Sequence, residues 1–243
     1  KRLRWIGSAF SFQNLGRGYF SDIELIDCDK EGLLDLDILK QIPKDIFDGI
    51  VLVNAFGMHN DFSNYIDFAE DNNKTLIIDN AAGLGSKISD WPWQAFSLHH
   101  TKPFGFGEGG LAITPPSAAE KLYELINYGS IPNEPQQWLN NGKISDVSCA
   151  FLIDRLEQVD LWFDKYLEQE KRIRSLVKYF NFQPLNEFNH FIPAMSIPFK
   201  TNQFLTSKDL TKSKKIVFGK YYKPLVNRKN SSNIYSQLVN IPT

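Results

Sequence analysis

The chain has 243 residues, 42% of them hydrophobic and 14% aromatic, which is enough to bury a substantial core in one large or two smaller domains. Lysine and arginine number 27 against 28 aspartates and glutamates, and this near-neutral balance argues against a nucleic-acid partner. No apolar run reaches the roughly 18 residues that a membrane span needs, and no signal-peptide pattern opens the sequence. Cys28 and Cys149 stand far apart in no metal or redox spacing, as expected of free thiols in a cytoplasmic protein.

Short apolar runs alternate with helical patterns along the first two thirds of the chain. Five of these runs predict β-strands, at residues 23–29, 49–57, 75–83, 95–100 and 111–114. The first four are nearly continuous in Val, Ile, Leu and Phe, which is typical of strands covered on both faces.

A helical pattern lies between the second and third of these runs. Residues 61–73 place Phe62, Ile66 and Ala69 at helical spacing, and Asp61 can cap the first turn. A helix between two such strands forms a strand–helix–strand unit with a right-handed crossover. The sequence therefore predicts an α/β fold with a mostly parallel sheet flanked by helices.

The pattern changes at residues 145–180, which contain no Gly or Pro and repeat apolar residues at intervals of three and four. This predicts one long helix, with Ser145 as its N-cap and Asp146 adding favourable charge in the first turn. The proline-interrupted remainder predicts a smaller unit. We expect a large domain over 1–160 and a small C-terminal α/β domain over 161–243, joined through the long helix.

Two functional groups follow neighbouring strands of the predicted sheet. Lys102 comes just after the fourth run, and Asp79 comes at the end of the TLII stretch of the third. Parallel sheets collect functional groups at this carboxyl edge, where a shielded lysine can form a Schiff base with a carbonyl cofactor and a carboxylate can keep a pyridine ring protonated. Spacing alone favours a surface lysine and a helix-capping aspartate, and it leaves the functional interpretation open.

Three segments, in order, carry a resemblance that decides between these alternatives. They are DNAAGLGS at 79–86, FSLHHTKPFGFGEGG at 96–110 and LNNGKISDVSCAFLIDRLEQV at 139–159. Together they resemble the nucleotide-sugar aminotransferases of the DegT/StrS type, which depend on pyridoxal 5'-phosphate and belong to fold type I of the aspartate aminotransferase superfamily. The family pattern around its lysine is an apolar residue, Ser, a short stretch often with His, then Thr-Lys and a glycine-rich run ending in Gly-Gly.

The resemblance implies a role for each matching residue. Lys102 corresponds to the lysine that holds the cofactor covalently and then carries the proton. Asp79 corresponds to the partner of the pyridine nitrogen, and Ser97 to the serine that bonds the cofactor phosphate. The glycines after the lysine would let the backbone turn tightly beside a ligand.

Two further matches are implied in the same way. SAFSFQN at 8–14 resembles the family stretch with an aromatic residue that stacks on the pyridine ring, which makes Phe12 the expected stacking residue. Asn141 matches the asparagine that reaches the phosphate of the other subunit's cofactor, and this implies a homodimer.

The resemblance therefore implies amino transfer from an amino acid to a keto group on a nucleotide-linked sugar. Two alternatives remain open. One is a degenerate homologue that cannot hold the cofactor, and the other is a related sugar dehydratase, a chemistry that accompanies loss of the lysine and so fits Lys102 poorly.

The resemblance also implies that both ends of a full family member are missing. Family members carry a phosphate-binding turn before the position of Ser8 and a last helix after that of Thr243. The segment IVFGKYYKPL at 216–225 resembles the tyrosine-rich stretch of the family's small domain, but Val226 follows where a histidine is usual.

The histidines predict no metal site. His99 and His100 are adjacent on a predicted strand and should point to opposite faces, while His59 and His190 stand apart in the sequence.

Overall fold

The main sheet has six strands. The computed structural model describes residues 3–85, 88–128, 140–186, 193–212 and 215–243. The strands are β1 Trp5–Ser8, β2 Ile23–Ile26, β3 Gly49–Val53, β4 Thr75–Asp79, β5 Gln94–Ser97 and β6 Gly110–Ile113. They lie in the order β2-β1-β3-β4-β5-β6. The first five run parallel and β6 runs antiparallel to β5. The predicted mostly parallel α/β sheet is confirmed, and the carboxyl ends of five strands meet at one edge.

Strand β1 was not among the predicted strands, although it is buried at every position and lies between β2 and β3. It is only four residues long and follows a basic start, so it lacks the extended apolar run by which the other strands are recognised.

Seven α-helices lie in the described part of the chain. They are α1 Leu36–Gln41, α2 Ser63–Asp71, α3 Pro116–Ile126, α4 Asp146–Glu157, α5 Val159–Val177, α6 Ser207–Leu210 and α7 Lys229–Gln237. None of these helices is both long and apolar enough to cross a membrane. Helix α2 is the predicted crossover helix. Its N-cap is Phe62, one position after the predicted cap Asp61, and Asp61 Oδ1 accepts the Ser63 N–H at 2.9 Å. Its buried face, with Phe62 and Ala69, packs into the core around β3 and β4.

The prediction of one helix over 145–180 is wrong, because the helix breaks at Gln158 between α4 and α5. The Arg155 carbonyl accepts the indole N–H of Trp162 at 2.9 Å, and the Gln158 side chain donates to Asp154 Oδ1 at 2.7 Å. These side-chain bonds occupy groups near the end of α4. The predicted N-cap is confirmed, since Ser145 Oγ accepts the Ser148 N–H at 3.1 Å.

A second sheet follows α5. Its strands β7 Gln183–Pro184, β8 Ser196–Lys200 and β9 Leu238–Pro242 pair antiparallel, and Ile173 and Val177 of α5 pack against it. The two sheets fall on either side of the predicted boundary at residues 160 and 161, which itself remains a prediction.

Helix α7 connects this second part to the main sheet. The Asp27 carboxylate, just after β2, accepts the backbone N–H groups of Asn230 and Ser231 at 2.7 and 2.9 Å. The guanidinium of Arg228 donates to the Leu25 carbonyl at 2.8 and 3.0 Å. The N-terminus of α7 is therefore anchored to the edge of the sheet at which the polar groups collect.

Candidate active site

A cavity of about 530 Å³ lies at the carboxyl edge of the main sheet. Four of the residues singled out from the sequence line it together: Phe12, Asp79, Ser97 and Lys102. They come from the loop after β1, the end of β4, the end of β5 and the turn after β5. The parallel topology brings together residues up to 90 positions apart, as the strand-end argument predicts.

Lys102 and Asp79 form the electrostatic centre of this cavity. Burial lowers the pKa of the Lys102 amine, and the charge of Asp79 opposes that shift. Burial likewise raises the pKa of the Asp79 carboxyl, opposed by the Ala81 N–H bonded to its Oδ1 at 3.1 Å and by the charge of Lys102. A shielded amine with a lowered pKa exposes its nucleophilic, uncharged form at a lower pH than an ordinary lysine.

The backbone around Lys102 forms a compact turn. The Lys102 N–H donates to the His99 carbonyl at 2.8 Å, and the Gly105 N–H donates to the Lys102 carbonyl at 2.9 Å. A Cβ on Gly105 would lie 2.0 Å from the His99 oxygen, so the turn requires glycine there. Gly107 has φ +62°, a conformation that glycine adopts without strain. The glycine-rich run is thus an ordered turn that aims Lys102 at the cavity.

Helices α4 and α5 support this turn from behind. Arg155 Nε donates to the Pro103 carbonyl at 2.6 Å, and its guanidinium lies 4.5 Å from the centre of the Trp162 ring. Phe104 packs edge-on against the same tryptophan at 5.2 Å between ring centres. The sequence reasoning missed Arg155, which lies within the matched segment 139–159 but carries no local signal of its contact 52 residues away.

Ser97 and Phe12 present a hydroxyl and an aromatic ring to the cavity. Ser97 Oγ accepts the His99 N–H at 3.2 Å, which leaves its own O–H available as a donor. Phe12 is 50% exposed although it lines a cavity, and it packs edge-on against Tyr222 at 6.4 Å between ring centres. An exposed aromatic face at this position can receive a planar ligand.

Tyr222 reaches the cavity from the C-terminal part of the chain. Its ring centre lies 4.9 Å from that of Phe56, and burial, together with the charge of Asp79, raises the pKa of its phenol to about 12. The segment that carries it is held at both ends, by Tyr221 N–H to Asn240 Oδ1 and by Leu225 N–H to the Ala9 carbonyl, each at 2.9 Å. The resemblance pointed to this segment without assigning Tyr222 a role.

Asn141 does not join the other four residues. It is exposed, pairs with Asn127 in an isolated antiparallel bridge, and is not among the residues that line the cavity. Ser86 and Leu139, at the ends of two matched segments, and His190 lie outside the described residues.

The expectation that His99 and His100 point to opposite faces of a strand is wrong. Strand β5 ends at Ser97, and the two imidazoles lie side by side with their centres 4.0 Å apart and their planes tilted by 36°. One possible ligand atom from each of these histidines and one from Glu108 lie within 4.8 Å of one another. The Thr101 N–H points at His99 Nδ1 at 3.2 Å, so in the neutral ring Nε2 carries the hydrogen that faces Glu108 Oε1 at 3.3 Å. His59 lies apart from this group, and burial lowers its pKa.

The sequence matches the family model of the DegT/DnrJ/EryC1/StrS aminotransferase family over residues 21–240. It is 33% identical over 127 residues to protein Rv3402c of Mycobacterium tuberculosis strain H37Rv, covering 48% of this chain and 31% of that protein. It is 28% identical over 137 residues to a dTDP-4-amino-4,6-dideoxy-D-glucose transaminase of Shigella dysenteriae, covering 53% of this chain and 37% of the transaminase. The alignments therefore span about a third of the length of these curated relatives.

The fold is similar to that of solved aminotransferases. A Bacillus cereus protein assigned as a PLP-dependent aminotransferase superposes with a TM-score of 0.86 at 18% identity, over 100% of this chain and 75% of that one. PseC of Helicobacter pylori, an aminotransferase of pseudoaminic acid biosynthesis, superposes with a TM-score of 0.78 at 17% identity, over 99% and 74% of the two chains. At these identities the likeness establishes the fold.

Proposed function

The chain belongs to the DegT/DnrJ/EryC1/StrS aminotransferase family, and from that premise we propose that it binds pyridoxal 5'-phosphate through Lys102 and transfers an amino group to a sugar. The observation that carries the proposal is the meeting of Lys102 and Asp79 in one cavity. A lone shielded lysine would fit many sites. A lysine paired with a strand-end carboxylate beside an exposed aromatic ring fits this cofactor.

The side chains that line the cavity suit the ring and the phosphate of the cofactor. The Asp79 carboxyl, whose pKa burial raises, gains a favourable partner when it meets a protonated pyridine nitrogen. The exposed ring of Phe12 offers a face for stacking, and the Ser97 hydroxyl is a donor for a phosphate oxygen. The residues present therefore fit the group, with Lys102, Asp79, Phe12 and Ser97 as those that would hold it.

Each side chain then has a defined task. The bound cofactor supplies an electron sink that accepts the electron pair released when a proton leaves the carbon next to nitrogen. The Lys102 amine, with its lowered pKa, removes that proton and returns it to the carbon on the other side of the same nitrogen. Asp79 stays ionised against the ring, and Tyr222 keeps water away from the buried side of the cavity.

We further propose a nucleotide-linked keto sugar as acceptor and an amino acid as donor. The family match and the transaminase activity of the Shigella relative support this substrate class. The opening of the cavity carries hydrogen-bonding groups suited to a sugar, namely Asn14, Thr101 and Tyr221.

We propose a homodimer in the cytoplasm as the working form. Asn141 is exposed and does not line the cavity of its own chain, as expected of a residue that serves the partner subunit's site. Helix α4, five residues further on, exposes Val147, Phe151 and Ile153, and exposed apolar side chains of this kind mark interfaces. The free thiols of Cys28 and Cys149 support a reducing compartment.

The test is amino transfer itself. The protein is incubated with pyridoxal 5'-phosphate, a nucleotide-linked 4-keto sugar and a panel of amino acids, and the sugar product is identified by mass spectrometry. The proposal predicts an amino sugar with at least one donor and none with Lys102→Ala. Failure to take up the cofactor would instead favour the degenerate homologue, and binding of the cofactor without transfer to any keto sugar would contradict the proposed acceptor.

A further inference from the structure

Three buried amide side chains form a chain directly behind Asp79. Asn54 follows β3, Asn80 follows β4 and Gln94 begins β5, and each is at most 3% exposed. Asn54 Nδ2 donates to Asn80 Oδ1 at 2.7 Å, and Asn80 Nδ2 donates to Gln94 Oε1 at 3.4 Å. Three neighbouring strands are thus linked through side chains at the edge where the cavity lies.

The outer members fix the orientation of the central one. The His59 N–H donates to Asn54 Oδ1 at 3.0 Å, so the amide nitrogen of Asn54 must face Asn80. Gln94 Nε2 donates to the Ser89 and Trp91 carbonyls, both at 2.8 Å, so its oxygen must face Asn80. Position 80 therefore requires one acceptor and one donor at fixed points, which an asparagine amide supplies and an ionised aspartate of the same size does not.

The same residues hold the backbone of Asp79. The Asn54 N–H donates to the Asp79 carbonyl at 2.9 Å, and the Asn80 N–H donates to the Ala95 carbonyl at 2.8 Å. Gly83 leaves the space that Asn80 fills, because a Cβ there would lie 1.9 Å from Asn80 Oδ1. With its backbone held on both sides, Asp79 has little freedom except at its own side-chain torsions.

We propose that Asn80 is a positioning residue that aims the Asp79 carboxylate into the cavity through this chain of amides. The inference rests on the proposed function and adds to it, since Asp79 can serve a cofactor ring only when its carboxylate is directed there. Asn80 itself is buried and is not among the residues that line the cavity.

The sharpest test is Asn80→Asp, which keeps the shape and loses the donor. The introduced carboxylate would face Gln94 Oε1. The titratable residues next to this chain of amides are Asp79, which precedes position 80, and His59, whose main chain bonds Asn54. We expect affinity for pyridoxal 5'-phosphate, measured by titration of its absorbance, to fall at least about tenfold at pH 8, since a repulsive contact replaces a buried hydrogen bond.

Acid pH should rescue this variant. Protonation turns the introduced group into a carboxylic acid, which again offers one acceptor and one donor, and burial favours that form. The ratio of variant to wild-type dissociation constants should therefore fall towards one between pH 8 and pH 6. For Asn80→Ala the same ratio should stay high and independent of pH, and Asn233→Asp, an exposed change on α7, should behave as wild type.

The outcomes separate this inference from the proposed function. If wild type takes up no cofactor, the proposed function fails and this inference fails with it. If wild type binds and Asn80→Asp binds equally well at pH 8, or is weakened with no rescue at pH 6, then Asn80 does not position Asp79. Far-UV circular dichroism of each variant identifies loss of fold. If Asn80→Asp does not fold, Asn54→Asp places a carboxylate against Asn80 Oδ1 and tests the same chain of amides from its other end, with the same expected acid rescue.

Discussion

The Lys102 amine and the Asp79 carboxylate face one cavity, and each opposes the effect that burial has on the other's pKa. Each group is shielded from water, which favours its uncharged form, while the charge of its neighbour favours the ionised form. Groups whose pKa values are shifted by burial and opposed by a specific charged neighbour cluster at functional sites.

Removing the carboxylate should disable the cofactor while leaving the fold intact. Asp79→Asn keeps the shape and the Ala81 N–H contact, but it withdraws the charge that a protonated pyridine nitrogen needs. We expect amino transfer to fall by roughly 10²–10³-fold, as when one preorganised electrostatic partner is lost. Steady-state kinetics measures the loss, with Asp90→Asn, an exposed carboxylate, as the matched control. Equal rates in the two variants would remove Asp79 from the site.

Replacing the shielded amine should stabilise the protein. Because burial lowers the pKa of Lys102, the unfolded state binds its proton more tightly than the folded state below pH 10.5. Lys102→Met removes this cost, and we expect the free energy of unfolding to rise by about 1 kcal/mol at pH 7, discounted for partial exposure. The gain should shrink as pH rises from the folded pKa towards 10.5. Urea unfolding of the variant and wild type at pH 7 and pH 10 measures the gain in stability and its change with pH. A gain that grows with pH would contradict a lowered pKa for Lys102.

The support behind the lysine turn should matter for rate as well as stability. Arg155→Ala removes the bond to the Pro103 carbonyl and the guanidinium packed on Trp162. We expect a loss of roughly 1–3 kcal/mol in stability and about a tenfold fall in transfer rate, because Lys102 loses its fixed direction. Arg172→Ala, an exposed change on α5, is the control for both measurements. An unchanged rate in Arg155→Ala would show that the turn holds its shape alone.

The contact between Asp27 and α7 should stabilise the docking of the second sheet. Asp27→Asn replaces a carboxylate that accepts the N–H groups of Asn230 and Ser231. We expect a loss of roughly 1–3 kcal/mol in the free energy of unfolding, the range for a buried cap and its charge-assisted bonds. Urea unfolding measures it against Asp22→Asn, an exposed neighbour. A stability equal to that control would show that Arg228 suffices to anchor the helix.

Local patterns in the sequence predicted the sheet class and two of the four residues that meet in the cavity, Asp79 and Lys102. The runs at 75–83 and 95–100 are apolar enough to identify as strands, and parallel strands must end at a common edge. Ser97 and Phe12 were predicted only from the resemblance to a known family. The resemblance to a known family assigned the roles, since spacing alone left Lys102 open to a surface interpretation.

What escaped prediction depends on contacts between residues distant in sequence. Arg155 reaches Pro103 across 52 residues, and Asn80 and Gln94 meet only because β4 and β5 pair. The break at Gln158 follows from side-chain bonds that periodicity does not register. The contact between the His99 and His100 rings follows from the end of β5 at Ser97, a boundary within the usual error of strand prediction.

The measurement that tests the account most directly is covalent capture of the cofactor. Purified protein is incubated with pyridoxal 5'-phosphate, reduced with borohydride and digested, and the modified peptide is located by mass spectrometry. The account predicts a visible absorbance band before reduction and a single phosphopyridoxyl group on Lys102, absent in Lys102→Arg. A label spread over exposed lysines such as Lys208 and Lys223, with no preference for Lys102, would contradict it.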